Sequence, residues 1–124
     1  MLLASRVLLA HFDDTDPHTE AARAILAEAD ELAASTLTLA EALVGAVAAG
    51  RLEEQLKAIA DLEITEVPLD QGAATALAQL RAETGLRMPD CCVLHAATIT
   101  GGNALATRDQ RLQRVAATRG LNGP

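Results

Sequence analysis

Aromatic side chains are almost missing: among 124 residues there is one Phe and neither Tyr nor Trp. Any core must therefore be built from Ala, Leu, Val and Ile, and base stacking on aromatic platforms is closed as a route to nucleic acid. Positive charge is scarce too. Ten basic residues against seventeen acidic ones leave a net charge of −7, which excludes a nonspecific duplex binder working through a broad basic face. Contact with nucleic acid must then be local, metal-assisted or made by an oligomer. The only cysteines, Cys91 and Cys92, are adjacent, so they build neither a disulfide framework within one subunit nor a structural zinc site, and a reducing cytoplasm is the expected location. The apolar N-terminal stretch MLLASRVLLAHF is short, carries Arg6 in its middle and lacks a basic leader and a cleavage region. No secretion or membrane segment is expected.

What is present has the length of one domain with a genuine core, half of its residues being apolar. We expect a single domain over residues 1–124, with a core spanning 1–120 and a frayed tail at 121–124. Residues 2–5 suit a short buried strand, and VLLAHF a brief helix ahead of the polar loop DDTDP. Asp16-Pro17 reads as a helix start, followed by Ala22, Ile25, Leu26, Ala29 and Leu32 at helical spacing. A strand at 33–37, a helix from Thr38 to Ala49 stopped by Gly50, and a helix with Leu52, Leu56 and Ile59 on one face come next. EITEVPL is β-leaning, with Pro68 marking an edge or an end. Asp70 is placed to cap a helix running to Thr84, with Gly85 as its stop; Met88-Pro89 opens another, closed by Gly101-Gly102. The strand NALAT precedes a last helix facing inward through Leu112 and Val115 or Ala116. Helices alternating with short apolar strands imply right-handed crossovers, hence an α/β fold with a short, mostly parallel central sheet flanked by helices.

Three acids share one local setting. Glu41 in TLTLAEAL, Asp90 in LRMPDCCVL and Asp109 in ALATRDQRL each lie at or near a predicted helix start. In open parallel sheets ligand sites lie beyond the carboxyl ends of the strands, which suits residue 4, Glu41 and Asp109; Asp90 follows a loop, and its arrival at the same place is a tertiary inference. Carboxylates gathered in one pocket repel one another unless a hard divalent cation such as Mg²⁺ offsets them, and acidic metal pockets mostly act on phosphate esters. Simpler roles compete. Thr38-x-x-Glu41 is a capping-box pattern, Asp90 suits the positive end of a helix dipole, and Asp109 suits an N-cap. His95 lies four residues after Cys91, a chelating spacing that without further partners reads as packing, and Asp13, Asp14 and Asp16 read as a solvated loop.

The segments VLLAHFDDTDPH, TLAE around Glu41, LRMPD before Asp90 and the strand-end T-x-D of Thr107 and Asp109 stand in an order that resembles the PIN-domain ribonucleases, and more narrowly the VapC-type toxins of toxin–antitoxin pairs. The resemblance spans residue 2 to Gly120 and implies a small endoribonuclease dependent on Mg²⁺ or Mn²⁺. It also implies an acidic quartet, of which Glu41, Asp90 and Asp109 supply three members; the first falls on Ala4, where a methyl group can neither ligate nor attract a cation. Either the parent protein carries Asp there and this chain was disarmed, or the acid was lost naturally; the survival of the other three favours the first. The chemistry implied for an intact site is a metal-activated water attacking a phosphodiester in line, leaving a 5′-phosphate and a 3′-hydroxyl. Arg87, Arg108 and Arg111 are candidate phosphate contacts, with Arg114 continuing the three-residue spacing; solvated surface arginines are the plain alternative. Implied partners are a VapB-like antitoxin, a structured RNA such as a transfer or ribosomal RNA, and a second copy in a homodimer. A catalytically silent module acting through antitoxin pairing and operon autoregulation is the competing function. A phosphoryl-accepting regulator is disfavoured because Lys57, the only lysine, falls on a helix rather than at a strand end.

Overall fold

The computed structural model describes residues 1–102 and 104–124; the expected strand NALAT thus begins on a residue outside the described ones. In chain order the elements are β1 (Leu2–Leu3), α1 (Ser5–Phe12), α2 (Thr19–Glu28), β2 (Ala33–Ser35), α3 (Thr36–Ala48), α4 (Leu52–Asp61), β3 (Thr65–Val67), α5 (Ala73–Thr84), α6 (Met88–Thr100), β4 (Leu105–Ala106) and α7 (Gln110–Thr118). The four strands pair in the order β3-β2-β1-β4, every described pairing parallel.

Alternation along these short strands divides the core into two layers, because successive side chains of a strand point to opposite faces. Leu2 and its register partner Leu105 join one buried cluster with Leu86, Val93, Leu94 and Leu112. Leu3 and its partner Ala106 join the other, with Val7, Leu8, Leu26, Leu39 and Ile59. Helices α1 to α4 therefore cover one face, while α6 and α7 cover the other. The chain steps from β1 to β2 to β3 beneath the first layer, then returns across the sheet through α5 and α6 to β4. Direction and face reverse together, which keeps the crossovers right-handed. Adjacent strands β1 and β4 consequently send their helices to opposite faces, and the sheet's topological switch point lies between them.

Several expected boundaries move, each for a local reason. The first strand is shorter than 2–5 because Ala4 donates its N–H to Ala106 O at 3.0 Å while its carbonyl already accepts from Leu8 N at 3.4 Å, turning the chain into α1. Ser35 rather than Thr38 opens α3: its hydroxyl accepts from Thr38 N at 3.1 Å, so Thr38 is inside the helix and the Thr38–Glu41 capping box does not form. Asp70 does not cap α5 with its side chain; Gly72, at φ 91°, takes that position. Leu32, read as helical, falls beyond α2 and is buried beneath it. The tail expected to fray is held at its start, where Leu121 packs against the core and Leu105 N donates to Asn122 O at 2.9 Å.

Gly85, closing α5 at φ 69°, is constrained by its backbone. The left-handed conformation strains residues that carry a side chain, whereas the nearest atom to an added Cβ, Arg111 Nη2 at 2.9 Å, is the tip of a flexible exposed side chain that can move aside. Gly85→Ala is therefore expected to lower stability by about 1–3 kcal/mol, read from the midpoint of urea unfolding.

Candidate functional site

Three helices begin around the crevice at the switch point. Ala4 is the N-cap residue of α1, Arg87 that of α6 and Asp109 that of α7. Between them lies a cleft of about 290 Å³ lined by Ala4, Arg6, Arg87, Asp90, Thr107, Arg108 and Asp109.

Each lining group is placed by its neighbours. Ala4 sits at the carboxyl end of β1, 8% exposed, hydrogen-bonded to β4 through its backbone. Thr107 turns the chain out of β4: its hydroxyl accepts from Asp109 N at 3.1 Å, and its carbonyl accepts from Gln113 Nε2 at 2.8 Å. Asp109 then caps α7, Oδ1 accepting from Leu112 N at 3.0 Å, so the N-cap role read from sequence is real and coexists with a place in the cleft. Asp90 enters from across the sheet, in the first turn of α6 behind Pro89. Its side chain is only 13% exposed, with Oδ2 lying 3.8 Å from Arg87 Nε. Burial pushes the Asp90 carboxyl above its ordinary range; Arg87 and Arg111 pull it back, while the charge of Asp109 adds to the rise. Arg108 reaches toward the α1–α2 loop, Nη1 lying 4.0 Å from Asp16 Oδ1. That loop is held by its own acids, Asp13 Oδ1 accepting from Thr15 N and Asp16 Oδ1 from His18 N, but the helix start expected at Asp16-Pro17 moves on: α2 begins at Thr19, with His18 as its N-cap residue.

Of the acids singled out in the sequence, the structure brings Asp90 and Asp109 together beside Ala4. Glu41 stands apart. It is half-buried on α3, close enough to Cys92 on α6 for its charge to help raise that thiol, but it does not line the cleft. Arg87 and Arg108 line it; Arg111 flanks it, crossing Gly85 and acting on Asp90 by charge, and Arg114 stays on the exposed side of α7. Arg6 lines the cleft and was overlooked. The signal was present, since the residue two places beyond a strand end falls in the first turn of the next helix and faces the same crevice. Of the Cys91–His95 spacing, Cys91 is fully buried, its thiol donating to Leu86 O at 3.6 Å, and burial raises the thiols of both Cys91 and Cys92.

A resident divalent cation does not fit the residues present. No group of three His, Cys, Asp or Glu side chains among the described residues is disposed to hold one. The cleft offers two carboxylates, one facing Arg87 and the other holding a helix N-terminus, against three lining arginines.

The PIN-domain family profile matches residues 1–118. The chain belongs to the PIN-domain family. No curated protein matches it. Among solved structures it is similar to a toxin–antitoxin complex from Klebsiella pneumoniae, with a TM-score of 0.72 and 24% identity over 87% of this chain and 85% of that one. This likeness extends to the whole α/β fold. In this PIN domain the crevice lies where the topology places it, with Ala4 directly after the first strand and Asp90 and Asp109 as its two lining carboxylates.

Asp90 binds a proton more readily in the folded protein than in the unfolded chain, so stability attributable to it falls as pH rises through the interval above the ordinary carboxylate range. Asp90→Asn is accordingly expected to raise Tm at neutral pH, with the gain vanishing in acid, as measured by thermal unfolding across a pH series.

Proposed function

We propose that this PIN domain has the frame of a VapC-type toxin: a Mg²⁺-dependent endoribonuclease that cleaves a structured RNA, transfer or ribosomal, and is neutralised by a VapB-like antitoxin. In the present form cutting is impaired by Ala4. The observation that carries this reading is the meeting of Asp90 and Asp109 with residue 4 at the switch point of a parallel sheet, inside an arginine-lined cleft. Such a cleft joins acidic oxygens to phosphate-binding side chains, the combination phosphodiester chemistry requires. Glu41, half-buried on α3 outside the lining of the cleft, is retained as the third acidic candidate.

The antitoxin partner is supported by the similarity to a structure from a toxin–antitoxin complex, and the net charge of −7 suits a basic partner segment. Val44 and Val47 on α3 are 66% and 58% exposed, an apolar strip that suits a homodimer. No helix among the described residues is long and apolar enough to cross a membrane, and we place the protein in the cytoplasm.

The competing reading, a catalytically silent module acting through antitoxin pairing, is favoured by the two-carboxylate cleft itself. One substitution separates the two. Ala4→Asp places a third carboxylate in the cleft, and cleavage of an RNA pool in Mg²⁺ is expected to rise by roughly 10- to 100-fold over the present chain, with EDTA abolishing the gain. An Ala4→Asp protein that folds normally and remains inert selects the silent module.

A further inference from the structure

The lining of the cleft, counted by charge, points away from cation binding. Arg6, Arg87 and Arg108 face Asp90 and Asp109 across about 290 Å³, leaving one unit of net positive charge in a chain whose total is −7. The acids are also poorly presented as ligands. Asp90 is 13% exposed with Arg87 beside it, and one oxygen of Asp109 holds the N-terminus of α7. The arginines are better exposed: the side chain of Arg87 is 75% exposed despite Asp90 at 3.8 Å, that of Arg108 40% despite Asp16 at 4.0 Å, and Arg6 is exposed. Arg6 has no hydrogen-bond or ion-pair partner among the described residues. It stands in the first turn of α1, where a cation opposes the helix dipole and no acid of that turn offsets it. An anion shared with Arg87 and Arg108 relieves that repulsion.

We propose that, with Ala4 in place, the cleft is a metal-independent phosphodiester-binding site in which Arg6, Arg87 and Arg108 hold the backbone of single-stranded RNA. This rests on the reading of the crevice as the RNA site and adds two things to it: RNA binds this chain without a divalent cation, and Arg6 is one of its contacts. Single-stranded RNA is the form favoured because the cationic lining is confined to one cleft of about 290 Å³, while the acidic remainder of a chain of net charge −7 repels a duplex lying across it. At physiological ionic strength screening acts within about 8 Å, so a local arginine cluster can attract phosphate on an acidic protein. The methyl group of Ala4 is part of the device, since a carboxylate there would bring the cleft to charge parity.

The test is fluorescence anisotropy of a short fluorescein-labelled single-stranded RNA, kept intact as judged by gel, titrated with the full chain in EDTA and in Mg²⁺ over a salt series. The expected dissociation constants agree within about twofold in the two buffers, a difference of under half a kcal/mol. Arg6→Ala and Arg108→Ala each weaken binding several-fold and flatten the log–log salt slope by about 0.7, Arg6→Lys retains most of the slope, and Lys57→Ala on α4 changes neither. Ala4→Asp weakens binding in EDTA. The proposal is overturned if EDTA abolishes binding by the Ala4 chain, if Arg6→Ala leaves affinity and slope untouched, or if Lys57→Ala does as much damage as Arg6→Ala. Cleavage by Ala4→Asp together with any of these outcomes would leave the nuclease reading standing and remove this one. RNA binding in EDTA by an Ala4→Asp-inert protein would do the reverse.

Discussion

The pairing of β1 with β4 organises the molecule. β1 is two residues long and lies between β2 and β4, with Leu2 and Leu3 1% and 0% exposed. A strand so short contributes little by its own ladder; its position is held because Leu2 and Leu3 anchor opposite layers of the core. Since β1 and β4 run side by side and dispatch their helices to opposite faces, the crevice between Ala4 and Thr107 follows from topology rather than from any residue selected for binding. Charged side chains could then be placed at its rim without disturbing the packing below.

The crevice sets the electrostatics that follow. Asp90 comes from α6, which packs beneath the sheet with Cys91, Cys92, Val93 and Leu94 all buried. Pro89 and the dipole of α6 favour an acid in that first turn, yet the burial that accompanies a tightly packed helix opposes its ionisation. Arg87, at the N-cap of the same helix, supplies partial compensation within one turn. Asp109 is under the opposite regime, exposed and bound to the N–H of Leu112, so its charge is useful to the fold whether or not the cleft is occupied. Two aspartates in one cleft therefore carry different energetic histories, one tolerated by the fold and the other used by it.

Much of this was legible in the chain because the signals were local. Apolar periodicity, Gly85, Gly101 and the Met88-Pro89 step locate helices through backbone preferences that tertiary contacts did not override. The T-x-D at Thr107 and Asp109 reads as a turn followed by a cap, and forms one. The failures share a cause. Thr38-x-x-Glu41 satisfied the pattern of a capping box, but Ser35 lay three residues earlier, at the end of β2, and its hydroxyl reached Thr38 N first. Asp70 lost its cap position to Gly72, whose left-handed backbone suited the turn into α5. Spacing could place Asp90 on a helix but not bring that helix across the sheet, and it could not show that the cleft between β1 and β4 would be lined by Asp90 and Asp109 without Glu41.

Position 4 shows how separable frame and chemistry are. A carboxylate at this strand end would be nearly buried, beside Asp90 and within the field of Asp109, and in the absence of a cation each added negative charge there makes the next harder to ionise. A methyl group removes that repulsion and leaves every backbone bond of the site in place, since Ala4 meets β4 through its N–H alone. With alanine at this position the lining holds two aspartates against Arg6, Arg87 and Arg108. The arginines therefore outnumber the carboxylates in the crevice by one.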